Sequence, residues 1–175
     1  MQERINNCVL RILAESSGTR GEGAYLVDLK VKGPQRARKI EILIDDDSGV
    51  RIDQCAWLSR RLRERLESDE EQELLDMVGE DFEITVSSPG LGEPLMLSRQ
   101  YIRHCGKLLQ VTFTDPEGVH RELNGRLLRV SLSEESRPHI VILPKKNKIK
   151  GDQSKTEEVI LYLDQVIRAV PEAEL

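Results

Sequence analysis

Two segments of this chain carry side chains suited to holding a partner. They are Ser87-Ser88-Pro89-Gly90-Leu91 and the lysine run Lys145, Lys146, Lys148, Lys150 and Lys155. Hydroxyls can donate to phosphate oxygens or to a partner's carbonyls, and clustered ammonium groups neutralise phosphates without reading base sequence. Pro fixes φ and Gly tolerates positive φ, so Pro89-Gly90 reads as a tight turn after a strand. Turn chemistry accounts for those two residues but not for the hydroxyls of Ser87 and Ser88. The lysine run reads equally well as a solvated, exposed loop, and no aromatic residue interleaves with it to stack on bases.

The remaining chemistry-bearing residues point away from catalysis. His104, His120 and His139 lack any HExxH spacing, no GxSxG surrounds a serine, and no glycine-rich phosphate loop joins a strand to a helix. Asp45-Asp46-Asp47 lacks the spaced ligands and distal Glu of an EF-hand loop and reads as a turn. Cys8, Cys55 and Cys105 are odd in number and without CxxC spacing, which argues against disulfides or zinc and for a reducing cytoplasm. The expectation is a protein that is not an enzyme and needs no metal or cofactor. No apolar run approaches the roughly 20 residues of a membrane span, and the charged first residues do not read as a secretion signal.

Charge is divided unevenly. Residues 1–97 hold 13 Lys and Arg against 20 Asp and Glu, whereas residues 98–175 hold 13 against 11, for a net charge of −5. An acidic first half suits a basic protein partner, and any contact with RNA must be made by local basic clusters.

The elements that must position these residues also differ between the halves. Apolar residues at helical spacing predict an amphipathic helix over Gln2–Glu15 and a second over Ile52–Leu66, with Asp53 available to cap it. Cys55 falls on the apolar face of that second helix, and Trp57 falls off it. Arg60, Arg61, Arg63 and Arg65 form a solvated face able to pair with Glu64 and Glu67. Strands are expected over Ala24–Val31, Lys39–Ile44 and Phe82–Val86, with a short helix or loop over Glu70–Val78. The expected core is Ile5, Val9, Leu26, Ile42, Ile44, Leu58, Leu62 and Ile84. After Pro94, Ser98 reads as the N-cap of a brief helix, followed by strands over Lys107–Phe113, Val119–Val130, His139–Leu143, Val159–Leu161 and Val166–Val170. Gly125 would allow a sharp bend. The expected class is α+β, with residues 1–90 as an α/β domain and residues 91–175 as a small SH3-like or Sm-like β-barrel.

Ile84-Thr85-Val86-Ser87-Ser88-Pro89-Gly90-Leu91 followed by Pro94-Leu95 closely resembles the signature of the bacterial ribosome maturation factor RimP family. Ile42-Leu43-Ile44-Asp45 before Gly49-Val50, Ile52-Asp53-Gln54-Cys55 and Gly106-Lys107 extend the likeness over nearly the whole chain. Gly92 and Glu93 stand where family members usually carry Asp and a basic residue. The resemblance implies a KH-like N-terminal domain and an Sm-like C-terminal barrel. It implies non-catalytic binding to the immature small ribosomal subunit, through one of its ribosomal proteins and rRNA, by a monomer. The alternative is a free-standing Sm-type RNA-binding module or RNA chaperone.

Overall fold

Apolar residues recurring every three or four positions give two amphipathic helices, α1 (Gln2–Ala14) and α2 (Ile52–Leu66). In the computed structural model, which describes residues 1–145 and 157–174, both lay their apolar stripes against a three-stranded sheet. The chain divides into two compact units, Met1–Pro89 and Gly90–Leu175. The class is α+β, as the sequence predicts.

In the first unit β2 (Lys39–Asp45) is central. It pairs antiparallel with β1 (Tyr25–Lys32) and parallel with β3 (Glu83–Ser87), and α3 (Gln72–Val78) precedes β3. Ile40, Ile42 and Ile44 of β2 are buried with Ile5, Val9, Leu58 and Leu62 of the helices. Full burial of each such side chain contributes about 1.5–3 kcal/mol. Leu26 and Ile84, also expected in the core, are only half-buried against it. Ile84 lies on an edge strand, and Leu26 sits beside a bulge. That bulge explains a spacing in β1 that alternation alone cannot. Leu26 and Leu29, three apart, pair with Ile44 and Ile42 on the same face because the register shifts between Leu26 and Asp28.

Two other details depart from the sequence expectation. Trp57 is a core residue, 9% exposed, because a neighbouring glycine makes room for it. A Cβ on Gly21 would lie 2.2 Å from its ring. Asp53 does not cap α2. The residue that does is Gln54, whose side-chain oxygen accepts the Arg51 backbone N–H at 2.8 Å. The Gln54 amide nitrogen donates to the Asp46 carboxylate at 2.7 Å and to the Glu22 carbonyl at 2.9 Å. Asp46 in turn accepts the Ser48 N–H at 2.8 Å, closing the turn after β2. Asp45, Asp46 and Gln54 are all buried. One glutamine therefore joins the start of α2, the end of β2 and the loop before β1.

The second unit is a five-stranded antiparallel sheet, β4 (Leu108–Thr114), β5 (His120–Ser131), β6 (His139–Pro144), β7 (Val159–Tyr162) and β8 (Val166–Pro171), in the order β7-β6-β5-β4-β8. Among the described residues no β7–β8 pairing closes it, so the expected closed barrel is not formed. The sheet must nevertheless curl. A flat sheet would separate its two edge strands by about 19 Å. A three-residue 3-10 turn, Leu163–Gln165, joins them, and the four steps from Tyr162 to Val166 reach about 14 Å. Gly125 contributes to the curl, since a Cβ there would meet Ile142 and the Leu143 carbonyl at 2.5 Å, and β5 bulges between Leu127 and Arg129. The core is Tyr101, Leu109, Val111, Leu127, Ile140, Ile142, Leu161 and Ala169. Burial pushes the Tyr101 phenol up to about 12.

Gln54→Leu keeps the volume but leaves the Asp46 carboxylate and the Arg51 N–H short of a partner. The expected cost is about 2–3 kcal/mol in chemical denaturation, because hydrogen bonds to charged groups are the expensive ones to lose. A change within about 0.5 kcal/mol would remove Gln54 from its joining role.

Candidate partner-binding site

β3 delivers the Ser-Ser-Pro-Gly segment. Within it Ile84 and Val86 pack on the first unit's core, so Glu83, Thr85 and Ser87 project from the opposite face of the sheet. Ser87 is the last paired residue, opposite Leu43. Ser87 and Ser88 are both exposed, and among the described residues neither hydroxyl has a hydrogen-bond partner. They are presented to solvent with their donor capacity unspent.

The turn that follows is not where the sequence places it. Gly90 has no positive φ. Instead the Glu93 N–H donates to the Gly90 carbonyl at 3.3 Å, and Gly92 has φ 82°. A positive φ at the third position is what a type II turn requires, so Gly90-Leu91-Gly92-Glu93 is the turn and Gly92 is the residue that permits it. Leu91, at the turn's second position, is 77% exposed. An apolar side chain held that far into water at a turn tip is available to a partner.

Beyond the turn, the Leu95 N–H donates to the Ala169 carbonyl of β8 at 2.8 Å, and Leu95 packs on the second unit's core. The 3-10 helix Ser98–His104 is not capped by Ser98. Gln100, 1% exposed, accepts the N–H groups of Met96 and Leu97 at 2.7 and 2.9 Å. Gln54 and Gln100 thus use the same device, a buried glutamine three residues into a helix reaching back to its start. The signal that could have found both is a Gln at that position before an apolar residue.

Of the lysine run, Lys145 is exposed just after β6, and its N–H donates to the Asn124 carbonyl at 2.8 Å. Lys146, Lys148 and Lys150 lie outside the described residues. The arginines of α2 pair as expected of a solvated face, Arg61 with Glu64 at 3.2 Å and Arg63 with Glu67 at 3.3 Å, and Arg65 pairs with Glu70 at 3.1 Å. Arg61 and Arg65 also line, with Arg11 of α1, a groove of about 380 Å³ between the two helices. Cys55 is half-buried against the core, and burial pushes its thiol up. His104, His120 and His139 lie on three different elements, the 3-10 helix, β5 and β6. Among the described residues no group of three or more His, Cys, Asp or Glu is placed to hold a metal ion, and no helix is long and apolar enough to cross a membrane.

The fold is that of a two-unit α+β protein, with an exposed serine pair at the end of β3 in the first unit and an exposed turn leucine at the start of the second. Residues 15–92 match the RimP N-terminal domain. The whole chain is 65% identical over 175 residues to the ribosome maturation factor RimP of Pelodictyon phaeoclathratiforme and 51% identical over 175 residues to that of Chlorobium phaeovibrioides, each aligned over the full length of both proteins. A more distant relative of the same name, from Cytophaga hutchinsonii, is 33% identical over 80% of this chain and 75% of its own. The chain belongs to the RimP family.

Gly92→Ala forces a Cβ into the left-handed region at the turn and is expected to cost about 1–2 kcal/mol. Denaturant melts check this. Stability equal to that of the parent chain would show that the turn does not depend on positive φ.

Proposed function

We propose that this chain acts in maturation of the small ribosomal subunit by binding the immature subunit, without bond chemistry. The observation that carries this reading is the full-length similarity to ribosome maturation factors, together with exposed Ser87 and Ser88, whose hydroxyls have no partner among the described residues, and exposed Leu91. Hydroxyls with free donors suit phosphate or carbonyl oxygens, and a protruding leucine suits an apolar pocket on a ribosomal protein. The first unit's excess of carboxylates favours a basic ribosomal protein through charge complementarity. Lysines 145, 146, 148 and 150 favour rRNA, as sequence-independent phosphate contacts. The KH-like and Sm-like descriptions of the two units belong to the same reading. The three-stranded sheet covered by helices and the curled five-stranded sheet support them. A monomer working in the cytoplasm, with no cofactor, completes the proposal.

Sucrose-gradient sedimentation of cell extract at low salt tests it directly. The chain is expected in the small-subunit fractions and absent from mature 70S particles. Its absence from the small-subunit fractions would overturn the proposal.

A further inference from the structure

We propose that the tip of the β1–β2 hairpin is a phosphate-backbone contact for structured RNA, a basic site within the otherwise acidic first unit. The proposal rests on the RNA-binding part of the function given above and names a site for it. Between Leu29 and Ile40 the chain carries Lys30, Lys32, Arg36, Arg38 and Lys39 and no acid at all. By turn chemistry alone, residues 32–37 are no more than the polar loop of a hairpin. The signal it held was that run of cations uninterrupted by a carboxylate.

The fold concentrates these charges: each lysine reaches an acid, Lys30 pairing with Asp28 at 3.3 Å, while the two arginines are left without one among the described residues. Lys32 and Lys39 are cross-strand partners on the last rung of the hairpin. Like charges directly opposite each other are destabilising, so the pairing is a cost the fold alone does not explain. Each reaches an acid only on the strand surface, Lys32 to Glu41 at 2.7 Å and Lys39 to Glu83 at 3.3 Å. Such exposed pairs contribute at most about 1 kcal/mol and are screened by salt. Arg36 and Arg38 have no carboxylate partner among the described residues, although Glu80 and Asp81 follow nearby Gly79. Arg38 is half-buried; it donates from one guanidinium nitrogen to the Gly33 carbonyl, and its Nε is buried without a partner. That buried Nε is out of reach of an external anion, so exposed Arg36 is the cation the tip leaves open to one.

The tip is also held in place. The Ala37 N–H donates to the Pro34 carbonyl at 3.1 Å, the Arg38 N–H to the Val78 carbonyl at 3.1 Å, and the Arg38 carbonyl accepts the Glu83 N–H at 2.9 Å. Gly79 lies so close beneath it that a Cβ there would be 2.1 Å from the Arg36 carbonyl oxygen. The backbone is therefore fixed while the Arg36 side chain is exposed, which lowers the ordering cost of binding. The partner is RNA and not an acidic protein because the loop, Gly33-Pro34-Gln35-Arg36-Ala37-Arg38, has no aromatic or large apolar anchor. Protein interfaces draw their energy from such anchors, whereas phosphate binding needs only positioned cations.

The test uses the full chain and a fluorescein-labelled stem–loop RNA titrated at several salt concentrations. Arg36 is exposed and its side chain has no hydrogen bond or ion pair among the described residues, so Arg36→Glu is expected to leave the fold intact. Arg60→Glu, an equal charge change at an exposed position of α2, is the control for net charge. Arg36→Glu is expected to weaken binding roughly tenfold at about 50 mM salt and to flatten the plot of log affinity against log salt by about one unit, with Arg60→Glu doing neither. Arg36→Glu matching the parent chain, or Arg60→Glu matching Arg36→Glu, overturns the site while leaving the proposed function standing. Displacement of the RNA by poly-glutamate at equal charge would assign the tip to acidic polypeptides and overturn it as well. A parent chain that fails to bind the RNA at low salt removes both the site and the RNA part of the proposed function.

Discussion

The first unit depends on one buried amide. Gln54 donates to Asp46 and to the Glu22 carbonyl and accepts from the Arg51 backbone. The loop before β1, 32 residues away in sequence, converges there with the end of β2 and the start of α2, and each brings a polar group that would be costly to bury alone. The geometry leaves little freedom nearby, since a Cβ on Gly23 would fall 2.4 Å from the same Asp46 carboxylate. With the loop before β1 fixed in this way, Gly21 is set against the Trp57 ring and the end of β2 is anchored to the start of α2. The central strand then carries both its neighbours, β1 with the basic hairpin and β3 with the serine pair.

The second unit meets a different constraint. Its two edge strands are joined by a linker too short to cross a flat sheet, so the sheet has to curl, and Gly125 with the β5 bulge allows it to. Gln100 repeats the Gln54 device at the entry to this unit, holding the Met96 and Leu97 N–H groups just after Leu95 is tied to β8. In the second unit the turn over residues 90–93 leads directly to that bonded leucine. The side chains of Ser87, Ser88 and Leu91 face water, and the two serine hydroxyls have no hydrogen-bond partner among the described residues.

Much of the fold was legible because periodicity reports burial. Ile5, Val9, Ile42, Ile44, Leu58 and Leu62 were expected in the core and are there. What escaped depended on contacts that spacing does not encode. Trp57 lies off the apolar stripe of α2 yet is buried, because room for it is made by a glycine 36 positions away in the sequence. Asp53 and Ser98 have the side chains of good caps, but in both helices a buried glutamine one or two residues further on takes the bond. Gly90 follows a proline and invites a turn, whereas Gly92 supplies the positive φ. The family signature was visible in the sequence, and full-length similarity places the chain in that family. The basic hairpin was not recognised, because the like-charge pairing of Lys32 with Lys39 appears only once the strand register is known.

We propose that this chain recognises the immature small ribosomal subunit through two exposed segments, the basic hairpin tip and residues 87–92. Hydrogen–deuterium exchange on the full chain, free and bound to purified immature small subunits, addresses it most directly. Slower exchange on binding is expected in residues 33–39 and 87–92, with the exposed face of α3 unchanged. A complex that forms while both segments exchange as in the free chain would contradict it.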